Sequence, residues 1–498
     1  MLSSVTDRDG RFSPGYLALL PVLVGIFIAA DDQTVIVTVL PQILLDLNVQ
    51  VNELDRASWT LTGYLLGYVA AMPLIGRMSD VWGHRNLYIA SMLLFMVGSV
   101  AAALTTSLNW FVFARVVQAV GAGALLPISI AIVADLFPPG KRGVPLGLIG
   151  ASSEAGAVIG PLWGGLIGEI WGWPWVFWMN IPLGALVLIP LLALLPSSPR
   201  FPARIDYIGS VLLAAALCTI TLALARVDSP DVLFLAYTLS AGITFILFII
   251  RQGRADSPLL PLTMFRSRAF GAANGTHLLV GAALIIGMVT IPLMANTVLE
   301  KTALGGGLML MRMTIAIPVG AVLGGLACQR MDARVPTVLG LLLIALGCGL
   351  MSSWGTDIAD PVMTIHLGVT GLGFGFLIAP ISLAAINSVS DELRGTASAV
   401  VTAMRVVGMT FGLAALTAWG TGRFEQLVVG LELPLALPGE TAEQTQARVR
   451  EFESALTDVG LSVFNDFFLI AMAVALIAIL PAMLMALKQS VDCDSTAH

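Results

Sequence analysis

The chain of 498 residues is 57% hydrophobic and only 11% charged, and it carries a formal net charge of −6. An ordinary soluble protein has about 25% charged residues, so this composition excludes that class. The negative net charge and the scattered basic residues also argue against a nucleic-acid partner, which requires clustered Lys and Arg.

Apolar runs follow one another along the whole chain. Fourteen of them, from about 16–41 to about 463–487, are long enough to cross a hydrocarbon core of about 30 Å. Lipid offers no hydrogen-bond partner to open backbone groups, so these spans must be helical. The sequence therefore predicts an all-α integral membrane protein with 14 transmembrane helices.

The order of the spans predicts two six-helix lobes separated by two inserted helices. The first lobe covers residues 1–200, the inserted helices 201–255 and the second lobe 256–498. A degraded internal repeat supports this division: Gly325–Arg334 holds in the second lobe the place that Gly76–Arg85 holds in the first. Transporters are commonly built from such repeats, with the substrate site at the interface between them.

The positions of Lys and Arg set the expected orientation. If the N-terminus is inside, most of the 25 basic residues fall on the cytoplasmic side, as the positive-inside rule requires. We therefore expect both termini on the cytoplasmic side of the membrane.

A short charged loop follows the second span. It reads G-x-x-x-D-x-x-G-x-R, with Gly76, Asp80, Gly83 and Arg85 at the fixed positions. The start of a helix carries partial positive charge, so a nearby carboxylate is stabilised there. We expect Asp80 to contact the start of the span that begins near Gly395, which makes this loop a cytoplasmic gate.

Few ionisable residues fall inside the spans, and each marks a candidate site because burying a charge in hydrocarbon costs several kcal/mol. Glu154 and Arg405 both lie roughly 14–15 Å deep at 1.5 Å per helical residue. They occupy equivalent spans of the two lobes, so they can pair when the lobes close and separate when the lobes open. The alternative is a permanent buried ion pair that holds the lobes together.

Asp32 and Arg115 have depths that allow an ion pair within the first lobe. The protonation of a buried carboxylate beside a cation depends on both burial and charge, and lobe motion would alter that balance. This is the property of a proton carrier; the alternative for Asp32 is a hydrogen bond that packs helices. Arg312, about seven residues into its span, fits either a substrate contact in the cavity or a side chain that reaches the membrane surface.

Three further features complete the predicted organisation. Gly160 and Pro161 predict a hinge, because glycine allows close helix approach and proline frees a backbone carbonyl. The polar stretch at about 430–465 has apolar residues at helical spacing, which predicts an extended periplasmic part; the alternative is an amphipathic helix on the bilayer surface. The histidines lack metal-ligand spacing and no nucleotide-binding or nucleophile motif occurs, so we expect no metal, no cofactor and no enzymatic activity.

These residues resemble a known family. Over nearly its whole length the chain is similar to the fourteen-spanner drug:proton antiporter branch of the major facilitator superfamily. Besides the Gly76–Arg85 loop, the segments that carry the resemblance are Asp32–Pro41, Trp59 with Tyr64, Arg115–Gly123, Gly160–Pro161 and Asn180–Pro182. Within that branch the chain looks most like mycobacterial triacylglyceride exporters, on the segments Tyr64–Leu74, Gly123–Ile128, Pro318–Val322, Arg405–Met409 and Ala414–Gly420.

The resemblance implies a function. It implies a secondary active exporter that moves triacylglyceride or a similar lipid from the inner membrane to the periplasmic side by alternating access, with proton antiport. Asp32, Glu154 and Arg405 would be its transport-linked charged residues, and a periplasmic lipid-carrying lipoprotein would be a partner. The alternatives are a proton-driven multidrug efflux pump that confers antibiotic resistance, and a non-transporting membrane scaffold or receptor.

Overall fold

The computed structural model describes residues 14–47, 59–198, 200–201, 204–227, 231–429, 431, 434 and 441–485. Within these ranges fourteen helices are long and apolar enough to cross a membrane, and no strand occurs. The predicted all-α fold with 14 membrane helices is therefore confirmed.

The helices, in chain order, are α1 (Pro14–Asp46), α2 (Trp59–Trp82), α3 (His84–Ala103), α4 (Leu108–Leu136), α5 (Gly143–Trp171), α6 (Pro174–Leu194), α7 (Tyr207–Leu224), α8 (Val232–Arg254), α9 (Arg268–Thr297), α10 (Ala303–Ala327), α11 (Arg334–Met351), α12 (Asp360–Asn387), α13 (Arg394–Val428) and α14 (Ala442–Met483). Short 3₁₀ turns precede α5, α9 and α13.

Polar side chains mark the first turns of five helices. Asp206, Asp231, Ser267, Thr302 and Thr441 each accept a hydrogen bond from a backbone N–H at the start of α7, α8, α9, α10 and α14. A cap of this kind stabilises a helix by about 1 kcal/mol because it satisfies a backbone donor that has no partner within the helix. These residues therefore fix where the chain enters each helix.

The helices form two bundles with a pair between them in sequence. Helices α1–α6 pack around a core that includes Tyr88 and Phe95, and α9–α14 pack around Phe270, Trp354 and Phe468. Helices α7 and α8 pack on each other, and α7 also contacts α2 and α13. Only 11% of the most apolar 18-residue stretch of α8 is buried inside the protein, so this helix faces lipid over most of its surface.

The bundles meet mainly through two helix pairs, α2 with α13 and α5 with α10. A Cβ on Gly76 would collide with Ala399 and lie 2.8 Å from the Gly395 carbonyl oxygen, and a Cβ on Gly147 would lie 2.5 Å from the Ala321 carbonyl oxygen. Both pairs thus need glycine for close backbone approach. Both contacts lie toward the end of the molecule where α2 turns into α3, which we call the latch end.

The two final helices are longer than a membrane is thick. Helix α13 has 35 residues and α14 has 42, which gives about 53 Å and 63 Å at 1.5 Å per residue. A hydrocarbon core is about 30 Å thick, so both helices continue beyond it. The predicted extension at about 430–465 lies partly outside the described residues; its described part is the first half of α14, which begins with a capping box at Thr441 and Gln444.

Candidate functional site

At the latch end, Asp80 caps the start of α13. Its Oδ1 accepts a hydrogen bond from the Gly395 N–H at 2.7 Å, and its Oδ2 accepts from the Thr396 N–H at 2.9 Å and from the Thr396 hydroxyl at 2.6 Å. Asp80 is only 1% exposed. A buried carboxylate that receives backbone N–H groups at a helix start is favoured both by hydrogen bonding and by the helix dipole. This contact joins the two bundles.

His84 and Arg142 make further polar contacts at the latch end. The His84 imidazole lies between two carboxylates, with Nδ1 2.7 Å from Asp135 Oδ2 and Nε2 3.4 Å from Asp80 Oδ1. Arg142, just before α5, is 3% exposed. Its guanidinium donates to the Phe137 and Ala134 carbonyls and to the side chain of Asn387 in the second bundle. At the latch end, the Asp80 contacts and the Arg142–Asn387 contact thus join the two bundles, and His84 holds Asp80 and Asp135 together within the first bundle.

Arg142 remains charged although it is buried. Burial and, to a smaller extent, the Arg394 guanidinium lower the pKa of Arg142 to about 10. That value is still well above neutral pH, so the side chain donates as a cation to its carbonyl and amide partners. A desolvated cation with satisfied donors is compatible with a tightly closed interface.

Gly83 and Arg85, the last two fixed positions of the Gly76–Arg85 loop, shape the turn between α2 and α3. Gly83 has φ of 90°, a backbone conformation that residues with a side chain rarely adopt. The Arg85 side chain donates to the Leu192 carbonyl at 2.7 Å, and its backbone N–H donates to Ser198 Oγ at 3.1 Å. Arg85 therefore anchors the start of α3 to the end of α6 within the first bundle.

Glu154 and Arg405 meet between the bundles. Glu154 on α5 and Arg405 on α13 form an ion pair with 2.6 Å between Oε1 and Nη2, and their side chains are 14% and 19% exposed. Both line a cavity of about 160 Å³ between the bundles, together with Gln33, Tyr68 and His277. The pair is therefore the charged contact that crosses the middle of the molecule and reaches a cavity.

Asp32 lies at the centre of a buried network inside the first bundle. Its carboxylate accepts hydrogen bonds from Arg115 at 2.7 Å, from Gln118 at 2.7 Å and from Asn180 at 2.9 Å. The Arg115 guanidinium also stacks 4.1 Å from the centre of the Tyr64 ring. Asp32 and Arg115 are 1% and 0% exposed. Neither residue of this ion pair lines the cavity between the bundles. The Asp32 carboxylate receives three side-chain hydrogen bonds, whereas Nε of Arg115 is buried without a hydrogen-bond partner.

Gly160 and Pro161 lie where α5 crosses α1. A Cβ on Gly160 would lie 2.6 Å from the Asp31 carbonyl oxygen, so the crossing requires glycine. Pro161 has no N–H and leaves the Ala157 carbonyl without its helical partner. The Thr34 hydroxyl on α1 donates to that carbonyl at 3.0 Å. The freed group thus holds two helices together within the first bundle.

Arg312, on α10, does not line the cavity that Glu154 and Arg405 share. It pairs with Asp360 at 2.6 Å and hydrogen-bonds to Thr364 at 2.9 Å, both at the start of α12. Its side chain is 31% exposed. Of the two sequence-based alternatives, the observed contacts resemble a side chain that reaches toward a helix end at the surface.

Sequence reasoning missed several partners. Gln118, Asn180 and Ser99 complete the Asp32 network, and His84 and Arg142 complete the latch. One signal was available: Gln118 follows Arg115 by three residues on a helix, a spacing that puts both on one face. His84 also had one, since it lies in the Gly76–Arg85 loop four residues after Asp80. Asn180, Ser99 and Arg142 come from other parts of the chain and have no local signature.

The whole-chain comparisons agree with this architecture. Residues 22–413 match the family model of the Major Facilitator Superfamily. The fold of the human organic anion transporter MFSD10 superposes with a TM-score of 0.61, covering 93% of this chain and 100% of that one at 15% identity. At that identity the match concerns the fold alone.

Curated relatives match at higher identity. A protein named triacylglyceride transporter from Mycolicibacterium smegmatis is 35% identical, in an alignment that covers 98% of this chain and 89% of the relative. A second protein of that name, from Mycolicibacterium hassiacum, is 37% identical over 470 residues, covering 89% and 86%. The family model, the fold and these relatives lead to one conclusion: the chain belongs to the Major Facilitator Superfamily and is a multi-pass membrane transporter rather than an enzyme.

Proposed function

We propose that the protein exports triacylglyceride or a similar lipid from the bacterial inner membrane to the periplasmic side by proton-coupled alternating access. In this proposal the latch end faces the cytoplasm, as the distribution of Lys and Arg favours. The state described here is then closed toward the cytoplasm.

The Glu154–Arg405 ion pair is the observation that carries the proposal. The pair joins the bundles at 2.6 Å and lines the cavity between them. Moving α5 away from α13 would break the pair and expose two charges. The pair therefore favours the closed state over the open state of the proposed two-state cycle. A proton on Glu154 would weaken the pair, which couples protonation to bundle movement.

The two proposed acidic residues have different environments, and this suggests different roles. Glu154 is 14% exposed in its side chain and faces the cavity, so a proton can reach it from there. Asp32 is enclosed by Arg115, Gln118 and Asn180. In the proposal Glu154 exchanges the proton directly, and Asp32 exchanges one only when the first bundle rearranges around Arg115.

The names of the relatives support a lipid as substrate. The cavity of about 160 Å³ is smaller than the roughly 300–1,000 Å³ of typical ligand sites. A large neutral lipid therefore requires the bundles to separate before it can enter. We further propose that the extended α13 and α14 guide the lipid outward to a periplasmic lipid-carrying lipoprotein.

Reconstituted protein tests this function. Proteoliposomes that contain labelled triacylglyceride should transfer it to the outer side when a pH gradient is applied. Glu154→Gln should abolish the gradient dependence, whereas Glu169→Gln, an exposed acid on the same helix, should leave it unchanged. If the wild type moves no lipid but carries a lipophilic cationic dye against the proton gradient, the chain is a multidrug pump and the lipid proposal is wrong. If it moves neither lipid nor dye, the transport proposal itself is contradicted.

A further inference from the structure

A large apolar cavity among the described residues lies outside the space between the bundles. It has a volume of about 630 Å³ and is lined by α7, α8, α13 and the segment that joins α8 to α9. Its walls include Leu217 of α7, Phe245 of α8, Phe265 of the joining segment and Met404 of α13. A Cβ on Gly242 would meet no atom within 4 Å, so the space beside α8 is open.

This cavity is separated from the Glu154–Arg405 site by one helix. Met404 and Val407 of α13 line the apolar cavity, whereas Arg405 and Val406 line the cavity between the bundles. The apolar cavity is therefore at the same depth in the membrane as Arg405. At that depth the surrounding medium is hydrocarbon, and an empty apolar space of this size would be filled from it.

Charges at one end of the cavity indicate which lipid fills it. Arg254 ends α8, and Arg266 directly follows the lining residue Phe265. Both side chains are exposed, and neither has an ion-pair partner among the described residues. Arg251 nearby is already paired with Asp206 at 3.1 Å. Neither arginine lines the cavity, but both follow its lining residues along the chain, at the end of α8 and in the segment that joins α8 to α9. Two guanidinium groups without ion-pair partners beside an apolar cavity are complementary to a phosphate joined to acyl chains.

We propose that the cavity between α7, α8 and α13 binds an anionic phospholipid, with its acyl chains in the cavity and its phosphate at Arg254 and Arg266. The lipid comes from the leaflet at the latch end. It holds the inserted pair α7–α8 against α13, the helix that carries both the Asp80 contact and Arg405. This lipid is a bound structural ligand and does not depend on which substrate is transported.

Photolabelling tests the acyl-chain site. Purified protein is incubated with phosphatidylglycerol that carries a photoreactive acyl chain, and the labelled peptides are identified by mass spectrometry. Label should appear on peptides of α7, α8 and α13. Gly242→Phe fills the open space and should remove that label, whereas Ala236→Phe, on an exposed part of α8, should retain it.

The headgroup is tested separately. Arg254→Gln and Arg266→Gln should each lower labelling by about fivefold, as expected for one basic residue at an anionic lipid. Arg330→Gln, an exposed arginine after α10, is the control and should have no effect. Equal labelling by photoreactive phosphatidylcholine, or stronger labelling by photoreactive triacylglyceride, would overturn the proposal. Label spread evenly over all lipid-facing helices would overturn it as well.

Discussion

This transporter has two kinds of buried ion pair, one within a bundle and one between the bundles. Asp32 with Arg115 is enclosed within one bundle, whereas Glu154 with Arg405 joins two bundles at a cavity. Removing one partner of a fully buried pair leaves an uncompensated charge, which is costly wherever it occurs. The first pair is fully buried, so such a substitution should mainly lower stability there. The second pair is partly exposed at a cavity between the bundles, so the same substitution should mainly impair transport.

The first residue-scale prediction concerns Arg115. Arg115→Met should lower the free energy of unfolding by about 3–5 kcal/mol, because it leaves the Asp32 carboxylate buried without its cation. The midpoint of thermal unfolding in detergent measures this loss. Arg405→Met removes a partner that is 19% exposed and should lower the midpoint much less. Equal losses in the two variants would contradict the distinction.

The second residue-scale prediction concerns Asp80. Asp80→Asn keeps a side chain that can cap a helix but replaces one acceptor oxygen with a donor that faces Thr396. Since the loss of one hydrogen bond costs about 1 kcal/mol, the variant should shift the population of the closed latch end by about fivefold. Single-molecule fluorescence between labels on the two bundles measures the populations. The latch would be refuted by populations identical to those of the wild type.

The sequence predicted these residues unequally. Glu154 and Arg405 could be matched because both lie at similar depth in equivalent spans of a repeated fold. The Asp32 network could not be completed, because Asn180 and Ser99 come from helices that the sequence does not orient relative to α1. Asp80 was matched to the start of α13 because a helix start attracts a carboxylate whatever the tertiary detail.

At the scale of helices, close crossings decide where the bundles touch. Gly147 faces the Ala321 carbonyl and Gly143 faces the Gly325 carbonyl, so α5 and α10 approach backbone to backbone. The apolar runs located the middles of the helices but not these contacts, since packing between helices in lipid depends on shape rather than on hydrophobicity. The apolar runs alone also stop short of the polar end of α14, which begins at Ala442, about twenty residues before the run at 463–487; that end falls in the stretch whose helical spacing predicted an extension.

An element-scale prediction follows from this crossing. Gly147→Leu should prevent α5 and α10 from closing, because its Cβ alone would lie 2.5 Å from a backbone oxygen. Gly165→Leu is a matched control on the same helix, where a Cβ meets nothing within 4 Å. The accessibility of latch-end residues to a water-soluble reagent should rise in the first variant only. The crossing would not be the closing contact if both variants remained protected.

Cys328 offers a way to make that measurement. It lies one residue after α10, and a Cβ on Gly143 would be 2.9 Å from the Cys328 Cβ. Burial, with a smaller effect of Asp332, raises the pKa of the Cys328 thiol from 9.0 to about 12. The thiolate is the reactive form, so alkylation should be slow near neutral pH and should still be rising at pH 9.

Opening of the latch end should reverse this protection. In Gly147→Leu, with the other cysteines replaced by serine, water reaches the thiol, its pKa falls toward the ordinary value and alkylation at pH 8 becomes faster. The same rate in both proteins would mean that Cys328 is not buried by the contact between α5 and α10.

For the whole molecule, the contacts describe a state that is closed at the latch end, which in the proposed alternating access is one state of the cycle. Three contacts close the latch end: the Asp80 cap, the Arg142–Asn387 contact and the α5–α10 crossing. The Glu154–Arg405 pair joins the bundles farther from that end. The number of helices was predictable because apolar runs recur along the whole chain. The family was predictable because its motifs lie in several segments of the chain. The cavity beside α7 and α8 was not, because its walls come from three separate helices and are apolar like the rest of the lipid-facing surface.

The central claim is that these contacts hold the latch end closed and release it together during transport. Spin labels at Lys141→Cys and Arg330→Cys, on exposed loops of the two bundles at the latch end, report that separation by electron–electron resonance. The account predicts one short distance in the wild type and an additional longer distance when Asp80→Asn and Glu154→Gln are combined. A single unchanged distance in that double variant, at acidic and at neutral pH, would contradict the account.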